Sequence, residues 1–301
     1  MGRITALRTP PWPPVPPFEM PPARTVRVPE RGEFFLRDSG GDGSAVMLLH
    51  GWMATADLNW AGAYAELQRA GYRVLAIDHR GHGRGLRPID RFRFSDCAAD
   101  VAAVLRALGL APAIVAGYSM GGAIAQLVAR EHPDVVQGLV LSATAQHWQE
   151  PEVKRRFRAL GLFGLTLSVA PRASWHAGLR RVGLKSSPQT VWLQSELMRH
   201  SASDIAEAGR ELGRFDSRPW AAEITAPVAV ALTSRDDLVP PRKQRELAAA
   251  YRAQVFEAPV RHIEIGERPE QYNPALLEAI AAVAGGREAE TRTRQDPVEA
   301  A

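Results

Sequence analysis

The chain has 301 residues, 46% hydrophobic and 23% charged, which is enough apolar material for a large core and excludes disorder throughout. Its one cysteine, Cys97, excludes an intramolecular disulfide and a thiolate metal cluster, and fits a reducing compartment. The 37 Lys and Arg outnumber the 33 Asp and Glu, but the excess is scattered and forms no basic stripe, so nucleic-acid binding is not expected.

Eight prolines fall between Pro10 and Pro22. Proline fixes φ and lacks an N–H donor, so residues 1–30 are expected to form an extended arm, with Trp12 and Phe18 lying on the domain surface. The arm has no apolar h-region, so no secretory signal is read and a cytoplasmic location is expected. Two antiparallel strands are expected at 25–28 and 33–37. Buried-strand runs follow at 45–49, 72–77, 113–116, 135–141 and 227–232, with a weaker sixth at 253–257. Helical spacing fills several gaps: at 97–108, where Val101, Val104, Leu105 and Leu108 share a face, and at 123–130, 242–251 and 274–283. Strands alternating with helices imply an α/β fold, a mostly parallel central sheet flanked by helices on both faces.

The rhythm breaks from 146 to 220, where only helix-like stretches appear, such as 152–167 and 190–208. A helical insertion between two strands of one sheet explains this, because strand–helix alternation resumes at Pro227. The longest apolar run, 159–170, is too short to span a membrane, which takes roughly 20 residues. The chain therefore divides into a core, 31–145 and 221–286, an insertion, 146–220, and a frayed tail, 287–301, which lacks apolar periodicity.

Gly117-Tyr118-Ser119-Met120-Gly121 follows the run at 113–116 and opens a helix. This is the strand–turn–helix context of a G-x-S-x-G nucleophile elbow, which aims a serine Oγ away from the sheet. His50-Gly51-Trp52 follows the run at 45–49 directly. Together, LLHGW (48–52), IDHRGHG (77–83), GYSMGG (117–122) and SRDDLVPP (234–241) resemble the α/β-hydrolase superfamily, over about residues 31–284. The serine places the resemblance in the serine-nucleophile branch, near esterases and cofactor-free haloperoxidases, and away from the dehalogenase and epoxide-hydrolase branches that use Asp.

The resemblance implies an α/β-hydrolase fold with residues 146–220 as a helical cap over the site. It also implies a catalytic order of Ser, acid and His along the chain. Oxyanion N–H donors are implied at Trp52 and Met120. A serine hydroxyl needs a base, and the base needs an orienting carboxylate. Asp236 and Asp237 both stand just past the run at 227–232. The family spacing of acid, any residue, two apolar residues and proline fits Asp236-Asp237-Leu238-Val239-Pro240 with Asp236 as the acid. His262 is the one histidine beyond Asp236 and is expected to be the base. Arg261 stands before it where the family usually has Gly.

His50 is expected to hold its loop by hydrogen bonding. His79 and His82 lie three apart with no further ligand nearby in sequence, so a structural loop is expected and no metal. Lys154, Arg155, Arg156 and Arg158 read as a solvated helix face. Trp148, Phe157, Phe163, Leu165, Trp175, Trp192, Leu193 and Met198 give the insertion apolar material to pack its helices and line a pocket. The expected activity is hydrolysis of a carboxylic ester or similar acyl bond with an apolar small-molecule substrate and no cofactor. Perhydrolase, haloperoxidase-like and acyltransferase chemistry use the same triad, and a hydrolase-derived small-molecule receptor is the alternative from another class.

Overall fold

A computed structural model describes residues 13–151, 169–181, 185 and 187–285. Outside the described residues lie Trp12, the stretch 152–167 with its four basic residues and with Phe157, Phe163 and Leu165, and the tail from 287.

The apolar runs become strands: β1 Ala23–Val28, β2 Gly32–Asp38, β3 Ala45–Leu49, β4 Arg73–Ile77, β5 Ala113–Tyr118, β6 Val136–Ser142, β7 Val228–Thr233 and β8 Gln254–Ala258. They form one sheet in the order β1-β2-β4-β3-β5-β6-β7-β8. β1, β2 and β4 pair antiparallel, and the remaining pairings are parallel. β1 lies within the stretch read as an arm: Val26 and Val28 are buried, and it pairs with β2 from Ala23↔Arg37 to Val28↔Gly32.

Among the described residues the α-helices are α1 Ala56–Arg69, α2 Phe94–Ala107, α3 Met120–Glu131, α4 Pro171–Arg181, α5 Pro188–Leu197, α6 Ala202–Arg214, α7 Pro241–Ala250 and α8 Pro269–Ala284. Alternate residues of each central strand face opposite sides. Met47 and Leu49 of β3 pack with Val101 and Val104 of α2, Ile124 and Val128 of α3 and Leu247 of α7. Val46 and Leu48 pack on the other side with Trp60, Tyr64 and Leu67 of α1 and with Leu276 and Ile280 of α8. Burying one such large side chain contributes about 1.5–3 kcal/mol, so both helical layers are held chiefly by apolar contact with the sheet.

Three helical features differ from expectation. α1 is unanticipated, because alanines surround its Trp60-Tyr64-Leu67 stripe; Thr55 starts it by accepting the Leu58 N–H at 3.1 Å. α8 begins at Pro269 rather than 274, with proline at its first position, where the missing N–H costs nothing. The single helix read over 190–208 is two helices, α5 and α6. Contacts from the loop after β4 break it: Arg87 Nη2 donates to the Arg199 carbonyl at 2.6 Å and Ser201 N–H to the Gly81 carbonyl at 3.3 Å. Ser201 then caps α6 by accepting from Asp204 N–H at 3.4 Å.

α4, α5 and α6 all lie between β6 and β7, which are adjacent in the sheet. The insertion is fastened to the core through Glu196 at the end of α5, whose side chain is 1% exposed. Its carboxylate accepts from Arg84 Nη2 at 2.6 Å and Nη1 at 2.9 Å, and from Thr55 Oγ1 at 3.1 Å.

Candidate active site

The buried strand β5 runs through the middle of the sheet and ends one residue before Ser119. Ser119 has φ 54° and ψ −117°, a conformation an L side chain adopts only under strain. Its surroundings hold it there. Ser119 N–H donates to the Ser142 carbonyl at 2.9 Å, and the Ser119 carbonyl accepts from Gly122 N–H at 2.9 Å and from Thr144 Oγ1 at 2.8 Å. The flanking glycines answer a close approach of backbones. A Cβ on Gly117 would stand 2.3 Å from the Gly121 carbonyl oxygen, and one on Gly121 would stand 2.2 Å from that of Leu49.

The three residues singled out for a triad converge. His262 Nε2 lies 3.1 Å from Ser119 Oγ, and His262 Nδ1 lies 2.8 Å from Asp236 Oδ2. All three side chains are buried, and they come from the turn after β5, the loop after β7 and the loop after β8. Asp236 Oδ1 accepts from the N–H groups of Leu238 and Val239, each at 2.8 Å, and Oδ2 also accepts from Thr233 Oγ1 at 2.8 Å. These donors fix the carboxylate's plane and aim one oxygen at the imidazole. Asp237, the competing acid, is exposed, and it is Asp236 that stands at His262 Nδ1.

Three of the supporting residues escaped the sequence reading. Thr233, the last residue of β7, touches the carboxylate directly. Gln244 on α7 links Thr233 Oγ1 to the Val239 carbonyl, with Nε2 at 2.8 Å from each. Tyr118, the variable position of the elbow motif, donates its hydroxyl to the His262 carbonyl at 2.6 Å, and its ring centroid lies 5.1 Å from the imidazole's. Burial pushes the Tyr118 hydroxyl's pKa well above the ordinary phenol value, so it remains a donor. The last residue of an elbow strand facing a later loop is the only signal in the sequence for such a role.

Met120 follows Ser119 directly in the chain, and Trp52 lines the same cavity as Ser119. Met120 opens α3, where first-turn N–H groups have no acceptor within the helix. The loop holding Trp52 packs on the elbow: a Cβ on Gly51 would stand 3.3 Å from Ser119 Cβ. The Trp52 indole N–H donates to the Ile205 carbonyl of α6 at 2.8 Å, so its ring is fixed against the insertion. Arg261 is exposed, and its backbone N–H donates to Glu264 Oε2 at 2.7 Å.

His50 braces its loop in the expected manner: Nδ1–H donates to the Gly51 carbonyl at 2.8 Å and Nε2 accepts from His79 N–H at 2.9 Å. It is part of a buried group of imidazoles, with ring centroids 4.5 Å apart for His50 and His79, 5.5 Å for His50 and His82, and 5.4 Å for His82 and His200. Burial, reinforced by neighbouring cationic groups, lowers His79 to about 3 and His200 to about 4, and holds His50 and His82 well below the usual 6.5. Among the described residues, no group of three or more His, Cys, Asp or Glu side chains is arranged to hold a metal ion.

A cavity of about 1090 Å³ opens over Ser119 and His262. Its walls include Trp52, Trp148, Trp175 and Trp192, and Pro17 and Phe18 of the arm close one side. Phe18, expected on the surface, is therefore also part of a cavity wall. Met198 faces a smaller pocket among α4, α5 and α6 instead.

The family model for the alpha/beta hydrolase fold matches residues 44–266. A non-heme chloroperoxidase of Streptomyces lividans is 31% identical over 273 residues, covering 84% of this chain and 98% of that protein. The solved enol-lactonase of Burkholderia xenovorans LB400 is 25% identical with a TM-score of 0.69, covering 86% of this chain and 100% of that one. An esterase of Exiguobacterium antarcticum, at 19% identity, shares the fold with a TM-score of 0.74 over 86% of this chain and 100% of that one. An eight-stranded, mostly parallel sheet with a serine elbow after β5, matched by the family model along most of its length, makes the chain a member of the alpha/beta hydrolase fold family.

Proposed function

We propose that the protein is a serine hydrolase that cleaves a carboxylic ester or similar acyl bond through an acyl-enzyme. The observation that carries this reading is the pair of contacts made by His262, 3.1 Å to Ser119 Oγ and 2.8 Å to Asp236 Oδ2. His262 Nε2 takes the Ser119 hydroxyl proton as Oγ bonds to the substrate carbonyl carbon. The carbonyl electron pair moves onto oxygen, and the N–H groups of Trp52 and Met120 receive that charge. The C–O bond to the alcohol then breaks, and the alcohol leaves with the proton from Nε2. Water repeats the cycle: Nε2 takes one of its protons, the hydroxide oxygen attacks the acyl carbon, and Oγ leaves with the proton. Asp236 holds Nδ1–H, orients the ring and stabilises the imidazolium. Residues 146–220 act as a cap over the site, and the protein works in the cytoplasm on a small apolar acyl substrate.

A fluorophosphonate probe should label the wild-type chain, and Ser119→Ala should abolish labelling and lower kcat by about 10³ or more. Equal labelling of Ser119→Ala would sink the assignment. The chloroperoxidase relative favours a second reading, in which hydrogen peroxide replaces water as the acyl acceptor and a peracid is released. Comparing acyl release with and without peroxide separates the two.

A further inference from the structure

Six of the ten residues 13–22 are proline, and proline's fixed φ leaves such a segment little freedom to lose when it is held in place. It is held at both ends. Val15 N–H donates to the Pro188 carbonyl at the start of α5, at 3.3 Å. At the other end, Arg37 Nη1 donates to the Pro21 carbonyl at 3.1 Å, and Asp38 N–H to the Pro22 carbonyl at 3.0 Å. Between these ties, Phe18 rests beside α1, where a Cβ on Gly62 would meet its ring at 3.5 Å. Pro17 and Phe18 thereby face the cavity that holds Ser119 and His262. The arm bridges the core and the insertion and walls the cavity from outside both.

The described lining of the cavity is one-sided in its chemistry. Among the described residues that line it there is no Lys or Arg, and Glu267 is the one carboxylate. Aromatic rings supply much of the remaining wall. Against this described lining, a carboxylate or phosphate on the acyl group would lose its water without gaining a counter-charge, while apolar carbon would gain contact. At about 1090 Å³, the space suits an acyl group far larger than acetyl.

We propose that the arm is a specificity-determining wall of the substrate site, with Phe18 packing against a long, uncharged, apolar acyl chain. This rests on the ester-hydrolase reading for its kinetic test and has a second, binding test that does not. In the full-length protein, kcat/KM is measured for the p-nitrophenyl esters of acetate, butyrate and octanoate, and for the p-nitrophenyl monoester of adipate. Wild type should prefer octanoate and should cleave the carboxylated adipate ester least well for its length. Phe18→Ala should lower the octanoate-to-acetate ratio by about tenfold, as expected when part of an aromatic ring's apolar contact is removed, and Phe18→Leu should restore most of it.

In a Ser119→Ala background, with no turnover, 2-decanone titrated against tryptophan fluorescence should bind about tenfold more weakly when Phe18→Ala is added. An unchanged octanoate-to-acetate ratio in a protein that still cleaves esters would overturn the proposal, as would efficient cleavage of the adipate ester. Equal losses for acetate and octanoate in both Phe18 variants would reduce the arm to a structural support and overturn it too. If wild type neither cleaves esters nor takes up the fluorophosphonate, the hydrolase reading fails and the 2-decanone titration alone decides the role of the arm.

Discussion

Asp236 and Asp237 are chain neighbours with opposite surroundings. Asp236 accepts two backbone N–H groups, the Thr233 hydroxyl and the His262 ring, while Asp237 is exposed. Asp236→Asn should lower kcat by about 10²–10⁴ because the imidazole loses the acceptor that sets its tautomer, whereas Asp237→Asn should stay within about threefold. The reverse ranking in steady-state kinetics would move the role to Asp237. Tyr118 acts one step further out, by holding the His262 backbone. Tyr118→Phe removes one donor from a buried carbonyl, which should cost about 0.5–1.5 kcal/mol of stability. As a positioning residue it should lower kcat several-fold with little change in KM; a loss confined to the thermal melting profile would make its role purely structural.

The core strands are legible in the sequence because strands buried on both faces read as unbroken apolar runs bounded by turns. Ser119 is legible for a related reason: a strand, a tight glycine-flanked turn and a helix leave few alternatives for the serine between them. α1 is not legible, since its stripe of Trp60, Tyr64 and Leu67 is diluted by alanine. The break between α5 and α6 is also hidden, because Arg87 and Gly81 cause it from more than a hundred positions away. Thr233, Gln244 and Glu196 were missed for the same reason, as ordinary polar residues whose meaning lies in distant partners. Glu196 offers a test. Glu196→Gln keeps the shape but removes the charge facing Arg84, which still has Asp57 and Asp78 at 3.7 Å. The expected cost is about 2–3 kcal/mol, below that of a buried pair left with no substitute, read from urea unfolding. A change within about 0.5 kcal/mol would mean that this contact does not fasten the insertion.

Across the whole molecule, the buried histidines set the response to acid. His50, His79, His82 and His200 stay neutral in the fold below their ordinary value of 6.5, down to about 4 for His200 and about 3 for His79. In that window the unfolded chain holds more protons than the native one, so stability is lost as pH falls below about 6.5. Asp78 works in the opposite sense, because burial raises it to about 6 and its protonation in the fold relieves a cost. The four imidazoles outnumber that carboxyl, so their joint effect is a loss of stability between pH 6 and pH 5. His82→Phe should flatten that loss of stability toward acid; urea unfolding at several pH values gives the comparison, and an unchanged slope would remove His82 from the account.

Because β6 and β7 are hydrogen-bonded neighbours, the insertion leaves and rejoins the sheet at adjacent strands, and Ser142 Oγ reaches the Ala231 carbonyl at 3.0 Å across the join. The insertion is therefore a natural unit to exchange for that of another hydrolase when a new substrate range is wanted. The graft carries one condition that a substrate-focused design would overlook. Arg84 and Thr55 remain behind in the host, and a donor segment with no carboxylate at the place of Glu196 leaves a guanidinium and a hydroxyl without their closest acceptor. Chimeras that bring such an acid, or that also replace Arg84 with an uncharged residue, should express and fold where simple swaps precipitate.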